Sequence, residues 1–191
     1  MGRWEPNAAG RLREAALELF EQRGFEQTTV AEIAARAGLT ERTFFRHFDD
    51  KREVLFRGSE ELQNTLVAAI DEAPAAASAL EAVTAALDAA GGLFMRELAR
   101  RRRAVILANP ELQERELMKL TSLAEALTAA LRHRGVPDPL AGLAAETGMA
   151  VFRITFERWV TDSAERPWAE HLHEALSELG ELVLGGPVPT P

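Results

Sequence analysis

The chain has 191 residues, 47% hydrophobic and 27% charged, with a formal net charge of −8 and no cysteine. Such a length and composition describe a folded chain of one large or two small domains rather than a disordered one. The missing cysteines exclude disulfides and thiolate metal sites, and no apolar run is long enough to span a bilayer.

In chain order, the residues before Asn7 read as a loose arm, and MGRWEPNAAG carries no apolar signal core, which points to the cytoplasm. Leu12, Ala15, Ala16, Leu19 and Phe20 then recur at i, i+3, i+4, i+7 and i+8, which predicts a first helix. Gly24 ends it, and Phe25 is placed to fold back on Phe20. Val30, Ile33, Ala34 and Ala37 make one face of a second, short helix, started by a capping box of Thr29 and Glu32. Gly38 suits a left-handed position after it, and Thr40 can cap the third helix. Leu39 and Phe44 are spaced for a hydrophobic staple. Two helices joined by a glycine-containing turn form a helix-turn-helix.

In the third helix Phe44, Phe45 and Phe48 are expected to face inward, and Arg42, Thr43, Arg46 and His47 outward. Two guanidinium groups, a hydroxyl and an imidazole suit base edges in a major groove and the flanking phosphates. Asp50 and Glu53 read as a second capping box at the start of a fourth helix, placing Lys51 and free backbone N–H groups toward a phosphate. Arg3 and Trp4 in the arm are further candidates to touch DNA, a frayed terminus being the plainer reading. An ordinary three-helix scaffold with solvated charges is the alternative, and the clustering of caps, turn and basic residues favours DNA. The acidic net charge does not oppose this, because the field at the docking face is local. Arg36, Arg42, Arg46, Lys51 and Arg52 outnumber Glu41, Asp49 and Asp50 there.

The fourth helix is expected from Lys51 to about Ala73, with a Leu55, Leu62, Leu66 and Ile70 stripe and Pro74 as its stop. An alanine-rich helix follows over Ala75 to Ala90, with Leu80, Val83 and Leu87 on one side, until Gly91 and Gly92 break it. Further helices are expected over Leu93 to Ala108, from Pro110 to about His133, from about Leu140 to Asp162, and from about Pro167 to Leu184. RGVPDP is a turn and GGPVPTP a flexible end. No strand is expected; the predicted fold is all-α, with about nine helices.

Arg100 to Arg103 form the densest basic run, and Arg96, Arg100 and Arg103 share a helix face. It reads as a solvated helix face with i,i+4 ion pairs, the alternative being a site for an anion such as the phosphates of a CoA thioester. Phe94, Met95, Met118, Met149, Phe152, Phe156 and Trp159 are the bulky groups of the second half, suited to a core or to an apolar pocket. Trp168, Leu172, Leu176, Leu179 and Val183 form one stripe, and Leu143, Thr147, Val151 and Ile154 another. Such helices either pack inward only or meet a symmetry mate in a four-helix bundle. An enzyme finds little support: the four histidines are scattered, and HExxH, glycine-rich phosphate-loop and GxSxG patterns do not occur.

The N-terminal quarter resembles the DNA-binding domain of TetR-family transcriptional regulators. The matching residues are Ala15, Ala16, Leu19, Phe20, Gly24, Phe25, Thr28, Thr29, Val30, Ile33, Ala34, Ala37, Gly38, Thr43, Phe44, His47, Phe48 and Lys51. Phe45 departs from the pattern: many relatives carry a tyrosine there whose hydroxyl often touches a phosphate. The resemblance implies a helix-turn-helix domain over residues 1–50, an effector-binding and dimerisation domain over 51–186 and a tail over 187–191. It implies DNA contacts from Thr28, Thr29, Thr40, Arg42, Thr43, Phe45, Arg46, His47 and Lys51. It also implies an effector held among the central helices, for which the apolar residues Leu66, Leu87, Phe94, Met118, Phe152 and Phe156 are the expected lining. A homodimer interface through Leu143, Val151, Ile154, Trp168, Leu172, Leu176, Leu179 and Val183 is implied as well. The expected function is a dimeric repressor, without a cofactor, that binds a pseudo-palindromic operator and is released by a small lipophilic or aromatic effector. A regulator of the same fold without an effector is the second expectation, and a helical-bundle enzyme a distant third.

Overall fold

The computed structural model describes residues 7–185, so the expectations for Arg3, Trp4 and the tail lie outside the described residues. Those residues contain nine α-helices and no strand. The helices are α1 (Ala8–Arg23), α2 (Val30–Arg36), α3 (Glu41–Phe45), α4 (Ser59–Glu72), α5 (Ala79–Ala90), α6 (Arg96–Leu107), α7 (Pro110–His133), α8 (Asp138–Thr161) and α9 (Trp168–Leu184). Short 3-10 turns at Arg52–Leu55 and Gly91–Leu93 precede α4 and α6. Among the described residues no helix is long and apolar enough to cross a membrane.

Asn7, not among the expected caps, caps α1 by accepting from Gly10 N at 3.0 Å, and Gly24 ends it as expected, at φ 86°, where a side chain would be strained. The Phe20 and Phe25 rings meet edge-on at 5.2 Å. The fourth helix, however, does not begin at Lys51. Asp50 Oδ1 accepts from Arg52 N (2.7 Å) and Glu53 N (3.1 Å), but the turn it caps is 3-10 and ends at Leu55. The Glu53 carboxylate pairs with Arg115, Nε lying 2.6 Å away. Val54, Leu55 and Phe56 are all buried in the core of the helix-turn-helix, reached through that 3-10 turn. The chain therefore turns inside the core before α4 starts. Later, α5 starts at Ala79 rather than Ala75, since Ser78 and Glu81 form a reciprocal capping box.

Packing divides the chain into two compact units, one of Met1–Ser59 with Glu97–Met118, the other of Glu60–Arg96 with Lys119–Pro191. The first unit is thus built from two separate stretches. Its core joins Leu12, Leu19, Phe20, Phe25, Ile33, Phe44 and Phe48 to Val105, Ile106 and Leu112 from α6 and α7. Arg101 clamps α6 to α1: Nε and Nη2 each lie 2.9 Å from a Glu21 carboxylate oxygen, and Nη1 lies 2.5 Å from Glu14. Arg102 donates to Leu55 O (2.8 Å) and to Glu116 (2.9 Å), with its guanidinium over the Phe56 ring.

In the second unit α8 packs against both α5 and α9. A Cβ on Gly148 would come within 2.2 Å of Val83 Cγ1, so this glycine sets how closely α5 and α8 approach. Arg134 satisfies the C-terminal carbonyls of α4, donating to Ile70 O, Ala73 O and Pro74 O at 2.8 Å each. Between α8 and α9, Asp162 accepts from Ala164 N, Arg166 N and the buried His171. The amide of Ala164, joined by the amide and guanidinium of Arg166, holds its carboxyl at about 2 despite partial desolvation.

Candidate nucleic-acid interface and aromatic cluster

Each arm of the helix-turn-helix is fixed locally. Thr29 and Glu32 form the expected reciprocal box at α2, with Glu32 N donating to Thr29 Oγ1 at 3.2 Å and Thr29 N to Glu32 Oε2 at 2.9 Å. These bonds, led by that backbone amide, lower the Glu32 pKa. Gly38 sits at φ 66°, Leu39 N bonds Ala34 O at 2.8 Å, and the Arg11 guanidinium reaches Ala37 O beside the turn. Thr40 Oγ1 accepts from Thr43 N at 3.2 Å and so starts α3.

This frame leaves Arg42, Phe45, Arg46 and His47 exposed, with Thr43 half-buried beside the Thr40 hydroxyl. Phe44 and Phe48 face the core as expected, but Phe45 is 54% exposed and meets Phe44 edge-on. Phe45 is rotated about 100° from Phe44 around the helix axis, whereas Phe48 follows one turn after Phe44, its N–H donating to Phe44 O at 3.0 Å, so the core receives Phe44 and Phe48. His47 has its pKa lowered by desolvation first, then by the positive charges of Arg46 and Arg57. Arg57 is an exposed cation that sequence reasoning missed, because the helix expected from Lys51 gave it no distinct position.

Two of the expected contacts lie elsewhere. Thr28 is buried, with its hydroxyl donating to Gly24 O at 2.9 Å. The Lys51 ammonium turns inward, donating to Phe25 O (2.7 Å) and Thr28 O (3.0 Å) and lying 4.0 Å from the centre of the Phe25 ring. Thr29 and Thr40 are exposed, and their hydroxyls already serve as caps.

In the second unit, Phe152, Phe156, Trp159 and Trp168 stand around Phe94, each ring centre within 5.2–6.1 Å of it. Leu66 and Leu87 are fully buried, and Met118 is 55% exposed and belongs to the first unit, so the six expected effector residues are not gathered. Two open depressions, of about 270 and 370 Å³, are lined by Ala124, Thr128, Arg132 and Glu146 and by Ala150, Arg153, Ile154 and Glu157, none of them expected effector residues. Of the expected dimer residues, Val151, Trp168 and Leu172 are buried within their own unit, where α5, α8 and α9 meet. Leu143, Ile154 and Val183 are exposed, and Leu176 and Leu179 half-buried. Within the arginine run, Arg101 and Arg102 bridge to other helices rather than to neighbours on α6. Among the described residues no cluster of histidine and carboxylate groups could hold a metal.

The family model for bacterial regulatory proteins of the tetR family matches residues 12–57, and that for the MftR C-terminal domain matches residues 74–183. The HTH-type transcriptional regulator TcmR of Streptomyces glaucescens is 41% identical over 81 residues, 42% of this chain and 35% of TcmR. The chain thus matches about a third of TcmR's length. MftR of Mycobacterium tuberculosis, a proposed transcriptional regulator of mycofactocin biosynthesis, is 26% identical over 191 residues, 97% of this chain and 94% of MftR. Among solved structures, Thermus thermophilus FadR, a TetR-family repressor in complex with lauroyl-CoA, aligns with a TM-score of 0.54 at 24% identity, over 96% of this chain and 98% of FadR. That last likeness is one of fold.

Proposed function

The chain belongs to the tetR family of bacterial regulatory proteins, and from that premise we propose that it is a dimeric one-component repressor whose α3 reads a pseudo-palindromic operator. It is a transcriptional regulator and not an enzyme. The observation that carries the operator reading is the exposed row Arg42, Phe45, Arg46 and His47, presented by a turn whose caps are all satisfied. Guanidinium groups on so short a helix suit guanine edges and flanking phosphates, and Phe45 offers an apolar edge for a thymine methyl. A two-fold dimer would set two such helices about 34–36 Å apart, one turn of B-DNA. The exposed Leu143 and Ile154 on α8, with Val183 on α9, support that assembly.

The effector we propose is small and lipophilic or aromatic, held in the second unit and acting from the cytoplasm. The ring cluster supports such chemistry, since it offers apolar faces and few polar groups to a ligand. FadR's lauroyl-CoA shares only its lipophilic acyl chain with that class, the rest of it being a phosphate-bearing CoA. A regulator without an effector is the second reading, favoured by the Phe94 ring occupying the middle of that cluster.

The test is selection of bound sites from a randomised DNA duplex, followed by anisotropy titration. Arg42→Ala is expected to cost about 1–3 kcal/mol and to relax preference at one position of each half-site. Equal affinity for selected and scrambled duplexes would overturn the operator reading.

A further inference from the structure

Phe94 is the one ring of the cluster that no helix carries. It lies between the 3-10 turn Gly91–Leu93 and the start of α6, and its amide is tied only to Gly91 O, at 3.4 Å. The four rings around it close on one another: Phe152 on Phe156 (6.1 Å), Phe156 on Trp159 (6.0 Å), Trp159 on Trp168 (6.0 Å) and Trp168 on Phe152 (5.8 Å). Three walls stand on α8 and the fourth on α9. Trp168 is anchored by its Nε1–H bond to Leu87 O at 2.9 Å, and a Cβ on Gly91 would collide with it at 2.4 Å. Trp168 is thereby fixed in place, and the central ring is held on a segment of Gly91, Gly92, Leu93 and Met95 whose last two side chains are exposed.

Thr155 supplies an independent observation. It is fully buried, and among the described residues its hydroxyl is the one buried side-chain polar atom without a hydrogen-bond partner. It lies three residues after Phe152 and four before Trp159, on the helix face that walls the box. A buried hydroxyl left unpaired is destabilising, so this one calls for a partner outside the chain, a water or a ligand atom.

Resting on the effector reading above, we infer that this aromatic box is the effector site in its closed form and that Phe94 is its removable plug. The ligand it takes is a flat aromatic ring carrying one hydrogen-bonding oxygen, a phenol or an aryl ketone. Its ring replaces that of Phe94 against the four walls, and its oxygen pairs with the Thr155 hydroxyl. Removal of the plug has to be taken up between Gly92 and Arg96. Arg96 donates to Trp159 O (2.5 Å) and to Arg166 O, and its guanidinium lies over the Trp159 ring. The next residue, Glu97, is where the chain passes into the first unit, so the signal leaves the box along α6.

The experiment uses the full chain in a Trp4→Phe background, so that fluorescence reports only Trp159 and Trp168, with 1-naphthol and naphthalene as probes. Unaltered otherwise, the protein should bind 1-naphthol with quenching. Phe94→Ala should tighten both probes by about tenfold or more, since no plug has to leave. Thr155→Val should weaken 1-naphthol by about tenfold and leave naphthalene unchanged. No quenching with Phe94 in place, or equal loss of both probes in Thr155→Val, overturns the inference. Operator affinity of the same sample separates the two failures. Operator binding without a naphthol response removes the plug and leaves the regulator; a naphthol response without operator binding upholds the box and removes the operator reading.

Discussion

Lys51 shows how a single side chain changes role with its direction. A lysine at this place suggested a phosphate contact, yet its ammonium closes the connection between α1 and α2 through the carbonyls of Phe25 and Thr28. Lys51→Met is therefore expected to cost about 1–3 kcal/mol of folding stability, the scale of charged hydrogen bonds, while leaving the salt dependence of operator binding unchanged. Urea unfolding together with titration at several salt concentrations checks this; a salt slope reduced by about one at unchanged stability would restore the phosphate role. His47 carries the opposite expectation. Its pKa is lowered in the free protein, chiefly by desolvation, so it is neutral near pH 7. A DNA phosphate beside it would raise that pKa, and binding would then take up a proton. Operator affinity should rise as pH falls from neutral toward the lowered pKa, and His47→Gln should flatten the rise. A pH profile unaltered by the substitution would place His47 away from the phosphates.

Helix boundaries were legible wherever their cause is local. Thr29 with Glu32, Gly24 and Gly38 could be read because cap and capped group lie within a few residues. The start of α4 could not, since the burial of Val54, Leu55 and Phe56 depends on a core completed by Val105 and Ile106. The direction of Lys51 depends on carbonyls 23 and 26 residues away, and Arg101 finds its carboxylates 80 and 87 residues back. The candidate site divides in the same way. Arg42, Arg46 and His47 were legible as an outward face, whereas Phe45 was misplaced because so short a helix shows no full period. Nothing in the spacing distinguished Phe94 from its walls, for its position follows from the break at Gly91 and from Trp168 far along the chain. At this scale Gly148 gives a sharp expectation. Gly148→Ala should cost about 1–3 kcal/mol through the clash with Val83, and Val83→Ala added to it should recover part of the loss. Unfolding midpoints of the single and double variants decide it; no loss in the single variant would mean that α5 and α8 have slack.

For the whole molecule, the buried Val151, Trp168 and Leu172 leave the proposed dimer to a smaller set of side chains than the stripes suggested. Leu143→Asp combined with Ile154→Asp places carboxylates where Leu143 is 65% and Ile154 46% exposed, so each chain alone should keep its fold. Sedimentation at micromolar concentration should show a dimer for the unaltered protein and a monomer for the double variant, with matching circular dichroism. A monomer in both would remove the two-fold operator model. The interleaving of the two units reaches further, into how the protein is made and how its gene can be recombined. Val105, Ile106 and Leu112 complete the core around the helix-turn-helix, so a nascent chain that has released only residues 1–59 holds an unfinished hydrophobic centre. The helix-turn-helix is therefore expected to mature only once the beginning of α7 has emerged from the ribosome. By the same token a single crossover near residue 59 is expected to leave that core unfinished. A working graft needs the second stretch as well, and the two must be inherited together.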